Sequence, residues 1–301
     1  MKRRTFIEGE YMHIYQRTIH RHNIFYSPLD YIVYFTIFCM LATKMKISVL
    51  ELCLMIDHLH MMILGATKDT VSKFISAVSS TFIREYNKAA NRTGQLFEKR
   101  FGRAPKQGRK KLVSAIIYIG NNPVEKKICR RAEQYRWNFL AYLDCQHPFS
   151  ERFISTRASY RLKNAIKIVD WQHSHRNYLK YSLLQRIFNG LDSKETAQLT
   201  DYIISKYNVL DTDRLIKIFG SYDQMLEAMN STVGSEYEIK EHFDQYPDTV
   251  YQDMIRYVKE HITPDVRQVT TYDLKEKMKL ANKMKTDLRL SLWQIEKFIH
   301  M

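Results

Sequence analysis

Met55-Ile56-Asp57-His58-Leu59-His60-Met61-Met62-Ile63 sets three polar residues in an otherwise apolar stretch. After the interruption at Ile56-Asp57, the run from His58 onward reads as a β-strand. Side chains alternate across a strand, so His58 and His60 share one face while Leu59 enters the core from the other. The same alternation aims Asp57 away from the imidazole face. Two imidazoles converging on one point form half a site for a divalent cation.

Working outward, residues 47–54 form an apolar strand just upstream, and residues 11–20 (YMHIYQRTIH) form an aromatic and β-branched one. Between them, Ser27 is an N-cap with Pro28 at the first helical position, opening a helix to about Lys44. Downstream, Val71, Phe74, Ile75, Val78 and Phe82 make a helical stripe ending near Gly94. Residues 95–101 read as a further short strand. Residues 110–122 read as a helix that Pro123 ends. Strands and helices in this order give an α+β layer, with helices packed on an antiparallel sheet. No Gly-rich phosphate loop or dinucleotide fingerprint occurs, which excludes most nucleotide-dependent enzymes.

Tyr118 and Asn122 stand four apart on the last of these helices, so phenol and amide share a face. The amide can complete a metal site begun by His58 and His60, and the phenol can reach what that metal activates. A second His-x-His, His173 and His175, sits in a helical or loop setting that does not aim both rings together.

The chain has 301 residues with 47 Lys and Arg against 32 Asp and Glu, a net charge of +15. Residues 1–150 hold 24 of those basic and only 11 of the acidic residues, so nearly all the excess lies in one half. That polarity suits a polyanionic partner. It concentrates at Lys99, Arg100, Arg103, Lys106, Arg109, Lys110, Lys111, Lys126, Lys127, Arg130 and Arg131, which bracket Tyr118 on both sides. Phe97, Phe101, Tyr135 and Trp137 are interleaved with them, either stacking on unpaired bases or packing in the core. Cys39, Cys53, Cys129 and Cys145 form no metal-like spacing and are expected as reduced thiols. Met1-Lys2-Arg3-Arg4 is basic, but no signal-type apolar stretch follows. The longest apolar run, residues 31–43, is too short to span a bilayer. The expectation is a soluble, cytoplasmic, nucleoid-associated protein with no membrane partner.

In four ordered pieces the sequence resembles the single-tyrosine HUH transposases, in particular the REP-associated branch. The pieces are Tyr15-Gln16-Arg17 with Ile24-Phe25, then residues 55–63, then Gly94-Gln95-Leu96-Phe97-Glu98-Lys99-Arg100-Phe101, then Tyr118-Ile119-Gly120-Asn121-Asn122-Pro123-Val124 with Trp137 beyond. The resemblance implies a ferredoxin-like sheet, the HUH endonuclease fold, over residues 1–149. It implies a Mg²⁺ or Mn²⁺ ion held by His58, His60 and Asn122, Tyr118 as nucleophile, and single-stranded or hairpin DNA as substrate. Arg17 and the basic band would track that DNA. Cleavage would leave a 5′-phosphotyrosine and a free 3′-OH. A metal-dependent transposase or nickase is then the first expectation, and a domesticated hairpin-binding regulator without cleavage is the alternative. Family members often have Pro-Asn where Ile56-Asp57 stand here.

Residues 150–301 are nearly neutral and read as an all-α accessory domain. Its helices are expected at residues 193–208, 211–219, 221–229, 249–261 and 272–286. Ser291 then caps a last helix that either opens a truncated helix-turn-helix or simply packs. The active site is built either within one chain or across a homodimer.

Overall fold

Four strands pair in one antiparallel sheet: β1 (Met12–Arg17), β2 (Ser48–Leu54), β3 (His58–Leu64) and β4 (Gly102–Pro105), in the order β2-β3-β1-β4. This is a computed structural model describing residues 6–231 and 249–301, so the basic start at Met1-Lys2-Arg3-Arg4 lies outside the described residues. Helix α1 (Pro28–Met45) joins β1 to β2, and α2 (Lys68–Ala89) joins β3 to β4. With the closing helix α3 (Gly108–Glu125), the order and pairing are ferredoxin-like, as the sequence led us to expect.

Local chemistry explains these elements. Ser27 and Asp30 form a capping box at the start of α1, with Pro28 in its first turn. Thr67 caps α2 by accepting from the Thr70 amide. On one sheet face Gln16 donates to Ser79 of α2, which places α2 there. Helix α3 lies against β2 and β3 on the other face, the one carrying His58 and His60. Gly120 permits that close approach: a Cβ there would fall 2.7 Å from Met229 Sδ and 3.0 Å from Glu51 Oε1.

Two elements differ from the sequence reading. The strand expected at residues 95–101 is displaced to Gly102–Pro105; Phe97 only bridges to Thr18, and its ring is buried. The apolar side chains at 96 and 97 mark a core segment rather than a pleated strand. Pro123 does not end α3 but sits inside it, and the helix runs on to Glu125. Proline removes one backbone donor, yet it is pre-set for helical φ, and the Lys126 amide still closes onto Asn122.

Beyond a set of short 3₁₀ turns, eight helices follow among the described residues: α4 (Tyr160–Ser174), α5 (Tyr181–Phe188), α6 (Ser193–Tyr207), α7 (Thr212–Phe219), α8 (Tyr222–Ser231), α9 (Thr249–His261), α10 (Leu274–Leu288) and α11 (Leu292–Ile299). One hydrophobic core runs from Tyr11 to Met229, joining the sheet and its helices with α4 to α8. A second gathers Tyr251, Met254, Val258, Ile295, Phe298 and Ile299 around Tyr26 and Ile56. The last helices therefore pack on the turn just before His58. Among the described residues no helix is long and apolar enough to cross a membrane.

Candidate active site

Strand register determines which side chains share the helix-α3 face. His58 lies opposite Arg17, His60 opposite Tyr15 and Cys53, and Met62 opposite His13 and Glu51. Directly paired residues project to the same side, so His13, Tyr15, Arg17, Glu51, Cys53, His58 and His60 form one face. Leu59, Met61 and Ile63 project to the other and are buried there. Gly102 of β4 leaves room for the Tyr15 ring, since a Cβ would fall 1.8 Å from it.

Across this face, α3 presents Tyr118 and Asn122 one turn apart. His58 Nε2 lies 3.3 Å from Asn122 Oδ1, and His60 Nε2 lies 3.5 Å from Asn122 Nδ2. The Tyr118 ring stands edge-on to His60 at 5.5 Å and beside His13 at 5.9 Å. All four residues expected from the sequence are thus gathered within one chain. His58, His60, Asn122 and Tyr118 are all buried, Tyr118 to 1% exposure.

Each imidazole has a partner on its Nδ1. His58 Nδ1 lies 2.5 Å from Asp57 Oδ1, and His60 Nδ1 lies 3.0 Å from His13 Nε2. Asp57 does not turn away from this face. It belongs to the β2–β3 turn, where Met55 N bonds to His58 O, so strand alternation begins only at His58. Thr18 fixes Asp57 further by donating its amide and hydroxyl to the Asp57 carbonyl. Asp57 Oδ2 meets Lys297 Nζ of α11 at 2.8 Å. Burial raises the Asp57 carboxyl, but the Lys297 charge and then His58 outweigh it and hold the group well below the usual carboxylate range.

These residues fit a divalent cation. With Asp57 against Nδ1, His58 turns its Nε2 toward Asn122 Oδ1 at 3.3 Å, so an imidazole nitrogen and an amide oxygen converge on one point. A divalent cation would draw on both as ligands. Two imidazoles with oriented Nδ1 partners are also the common outer arrangement of a metal site. Among the described residues no three His, Cys, Asp or Glu are placed to hold a metal ion by themselves, so an ion here would need the Asn122 amide.

The basic residues fall at both ends of α3. Arg109, Lys110 and Lys111 are exposed in its first turn, which has no acidic residue. Cations there oppose the helix dipole, a cost of about 0.3–1 kcal/mol each at the surface, which suits a phosphate partner at that end. Lys126 and Lys127 close the helix, with Arg130 and Arg131 just beyond; Arg131 pairs with Glu133. Lys99 and Arg100 are exposed before β4, Arg103 lies on it and Lys106 directly after it. Arg17, half-buried at the end of β1, lies 5.9 Å over the Tyr15 ring. The interleaved aromatics are core: Trp137 stacks on Tyr31, Tyr135 donates to the Leu54 carbonyl, and Phe97 is buried. In the second His-x-His, His175 stacks on Trp171 and His173 on the edge of Tyr207, so the rings do not converge.

The sequence reading missed His13 and misplaced Asp57. The alternation of Met12-His13-Ile14-Tyr15-Gln16-Arg17 does put His13 on the face of Arg17, but its contact with His60 depends on the β1–β3 register.

No curated protein matches the chain. A solved structure described as "Structure of the REP associates tyrosine transposase bound to a REP hairpin" aligns with 52% of this chain and 99% of its own, at 15% identity and a TM-score of 0.42. Residues 7–122 match the family model described as "Transposase IS200 like", a span that begins before β1 and ends on Asn122. Residues 7–122, which carry the sheet, α1, α2 and most of α3, are thus similar to the IS200-like transposases.

Proposed function

We propose that this protein is a metal-dependent transposase that cleaves and rejoins single-stranded DNA through Tyr118. The observation that carries the proposal is the convergence of His58 Nε2 and His60 Nε2 on the Asn122 amide, with Tyr118 on the same helix face against His60. His58, His60 and Asn122 would hold Mn²⁺ or Mg²⁺, which when bound supplies Lewis-acid polarisation of the scissile phosphate. Imidazole ligands favour Mn²⁺.

The protein's own residues supply position. A phenol with a free pKa of ~10 is a weak nucleophile until it is aligned with phosphorus. Helix α3 holds Tyr118 one turn from Asn122, so nucleophile and ligand move as one rigid unit. In the step, Tyr118 Oη bonds to phosphorus and gives up its proton, while the P–O3′ bond breaks and the 3′ oxygen leaves as a hydroxyl. The link kept is a 5′-phosphotyrosine diester. A second 3′-OH can reverse the step without ATP, in keeping with a sequence that has no nucleotide-binding loop. The basic ends of α3 would track the strand and a hairpin beside it, and such a protein would work in the cytoplasm on the nucleoid.

One observation favours a second reading, a domesticated hairpin-binding protein: Tyr118 is only 1% exposed beneath its neighbours. The test incubates the full chain with labelled hairpin oligonucleotides from the flanks of its gene, with Mn²⁺ or Mg²⁺, on denaturing gels. A metal-dependent covalent band that vanishes in Tyr118→Phe, with hairpin binding retained, supports the transposase. Tight binding with no adduct in either metal supports the binding protein.

A further inference from the structure

Lys297 is 4% exposed, and a lysine is rarely buried so far unless its charge is paired. It rises from α11, where Ile295, Phe298 and Ile299 anchor the helix in the second core. Its ammonium lies 5.0 Å from the centre of the Tyr251 ring and 5.4 Å from that of Trp293, and it meets Asp57 Oδ2 at 2.8 Å. The other oxygen of the same carboxylate faces His58 Nδ1. The carboxylate is thus shared, one oxygen to each partner.

We propose that Lys297 is a positioning residue for the metal site: by holding Asp57 Oδ2 it turns Asp57 Oδ1 onto His58 Nδ1 and keeps His58 Nε2 aimed at Asn122. The last helix of the chain thereby completes a site otherwise built from residues 7–122. A free carboxylate can rotate, hydrate or take up a proton, and each of these loosens the imidazole it orients. Two backbone contacts keep α11 seated at this point, Tyr26 Oη donating to the Phe298 carbonyl at 2.6 Å and the Asn23 amide to the Lys297 carbonyl at 3.3 Å. This inference rests on the metal reading proposed above.

The test uses the full chain labelled with ¹⁵N-histidine, because NMR reports which ring nitrogen of His58 carries the proton whether or not metal is present. In the wild type His58 is expected as the Nδ1–H form alone. Lys297→Met should give a mixture of tautomers and bind Mn²⁺ about 10–100-fold more weakly by electron paramagnetic resonance titration. Lys297→Arg, which keeps a cation at this point, should restore both. If Lys297→Met does not fold, Lys297→Ser, too short to reach Asp57 and small enough to admit water beside it, takes its place, and the mixed tautomer is again expected. Retention of Nδ1–H alone in the folded variant overturns the proposal. His58→Ala binding Mn²⁺ as tightly as the wild type would overturn the metal reading instead, leaving the tautomer result to decide the role of Lys297.

Discussion

His13 Nε2 and His60 Nδ1 lie 3.0 Å apart, with their rings stacked at 5.2 Å, so the first strand of the sheet supplies the outer partner of the second imidazole. Burial, and then the charges of His60 and Lys106, hold His13 well below the usual imidazole range, which keeps it neutral. A neutral His13 can accept from His60 Nδ1–H, leaving the His60 Nε2 lone pair for the site. His13→Phe fills similar space but cannot accept a hydrogen bond. It is expected to fold and to bind Mn²⁺ about 10–100-fold more weakly, while His13→Gln retains part of the affinity. Calorimetric titration checks this, and wild-type affinity in His13→Phe would remove His13 from the site.

The cations at the start of α3 make a prediction with two opposite signs. Lys110 and Lys111 are exposed in a first turn without acidic residues. If they meet phosphates, Lys110→Ala with Lys111→Ala lowers affinity for single strands of any sequence. It also reduces the slope of log K against log salt by about 0.7 for each phosphate no longer neutralised. The same pair of changes relieves repulsion with the helix dipole and stabilises the fold by ~0.3–1 kcal/mol per residue. Weaker binding with a raised melting temperature is the expected pair of results. An unchanged salt slope would place the DNA elsewhere.

Much of this site is legible in the sequence, because it depends on two short periodicities. Alternation from His58 to His60 and the helical spacing from Tyr118 to Asn122 each fix a face without knowledge of the rest. The same logic fails for Asp57, where the turn at Met55 ends the alternation one residue earlier than the apolar pattern suggests. It cannot reach His13 or Lys297, whose roles depend on strand register and on a helix from the far end of the chain. Strand β4 escapes because Gly102-Arg103-Ala104-Pro105 has no β-branched or aromatic residue. Its neighbour Phe97 carries the strand-like signal but belongs to the core.

Glu51 predicts a pH effect on stability. Its carboxyl is fully buried against Gly120 of α3, without a hydrogen-bond partner among the described residues, and burial pushes it well above the usual carboxylate range. A raised group favours the fold fully below its unfolded pKa, ~4.3, and that contribution is lost as pH rises. Glu51→Gln keeps the shape and removes the titration. It should match the wild type at pH 4 and exceed it by about 1–3 kcal/mol at pH 8. Denaturant melts at both pH values check this. A difference independent of pH would mean that Glu51 is not protonated in the fold.

The seat of the last helix carries a titration of the opposite sign. His300 stacks on His22 at 4.4 Å and donates Nε2–H to the Asn23 carbonyl at 2.6 Å. Burial, then His22, lower His300 to about 3; burial, then His20, lower His22 to about 4. Unfolded histidines titrate near ~6.5, so between that pH and about 4 the unfolded chain binds protons that the fold does not. Stability contributed by this pair is therefore complete above pH ~6.5 and falls as the solution is acidified. Protection of the α11 amides, taken relative to their intrinsic exchange rates at each pH, should fall over this window as the helix loosens and with it the hold of Lys297 on Asp57. His22→Gln with His300→Gln should flatten the response, because neither amide titrates. Equal acid sensitivity of α11 in the wild type and the double variant would assign the effect to other groups and sink the prediction.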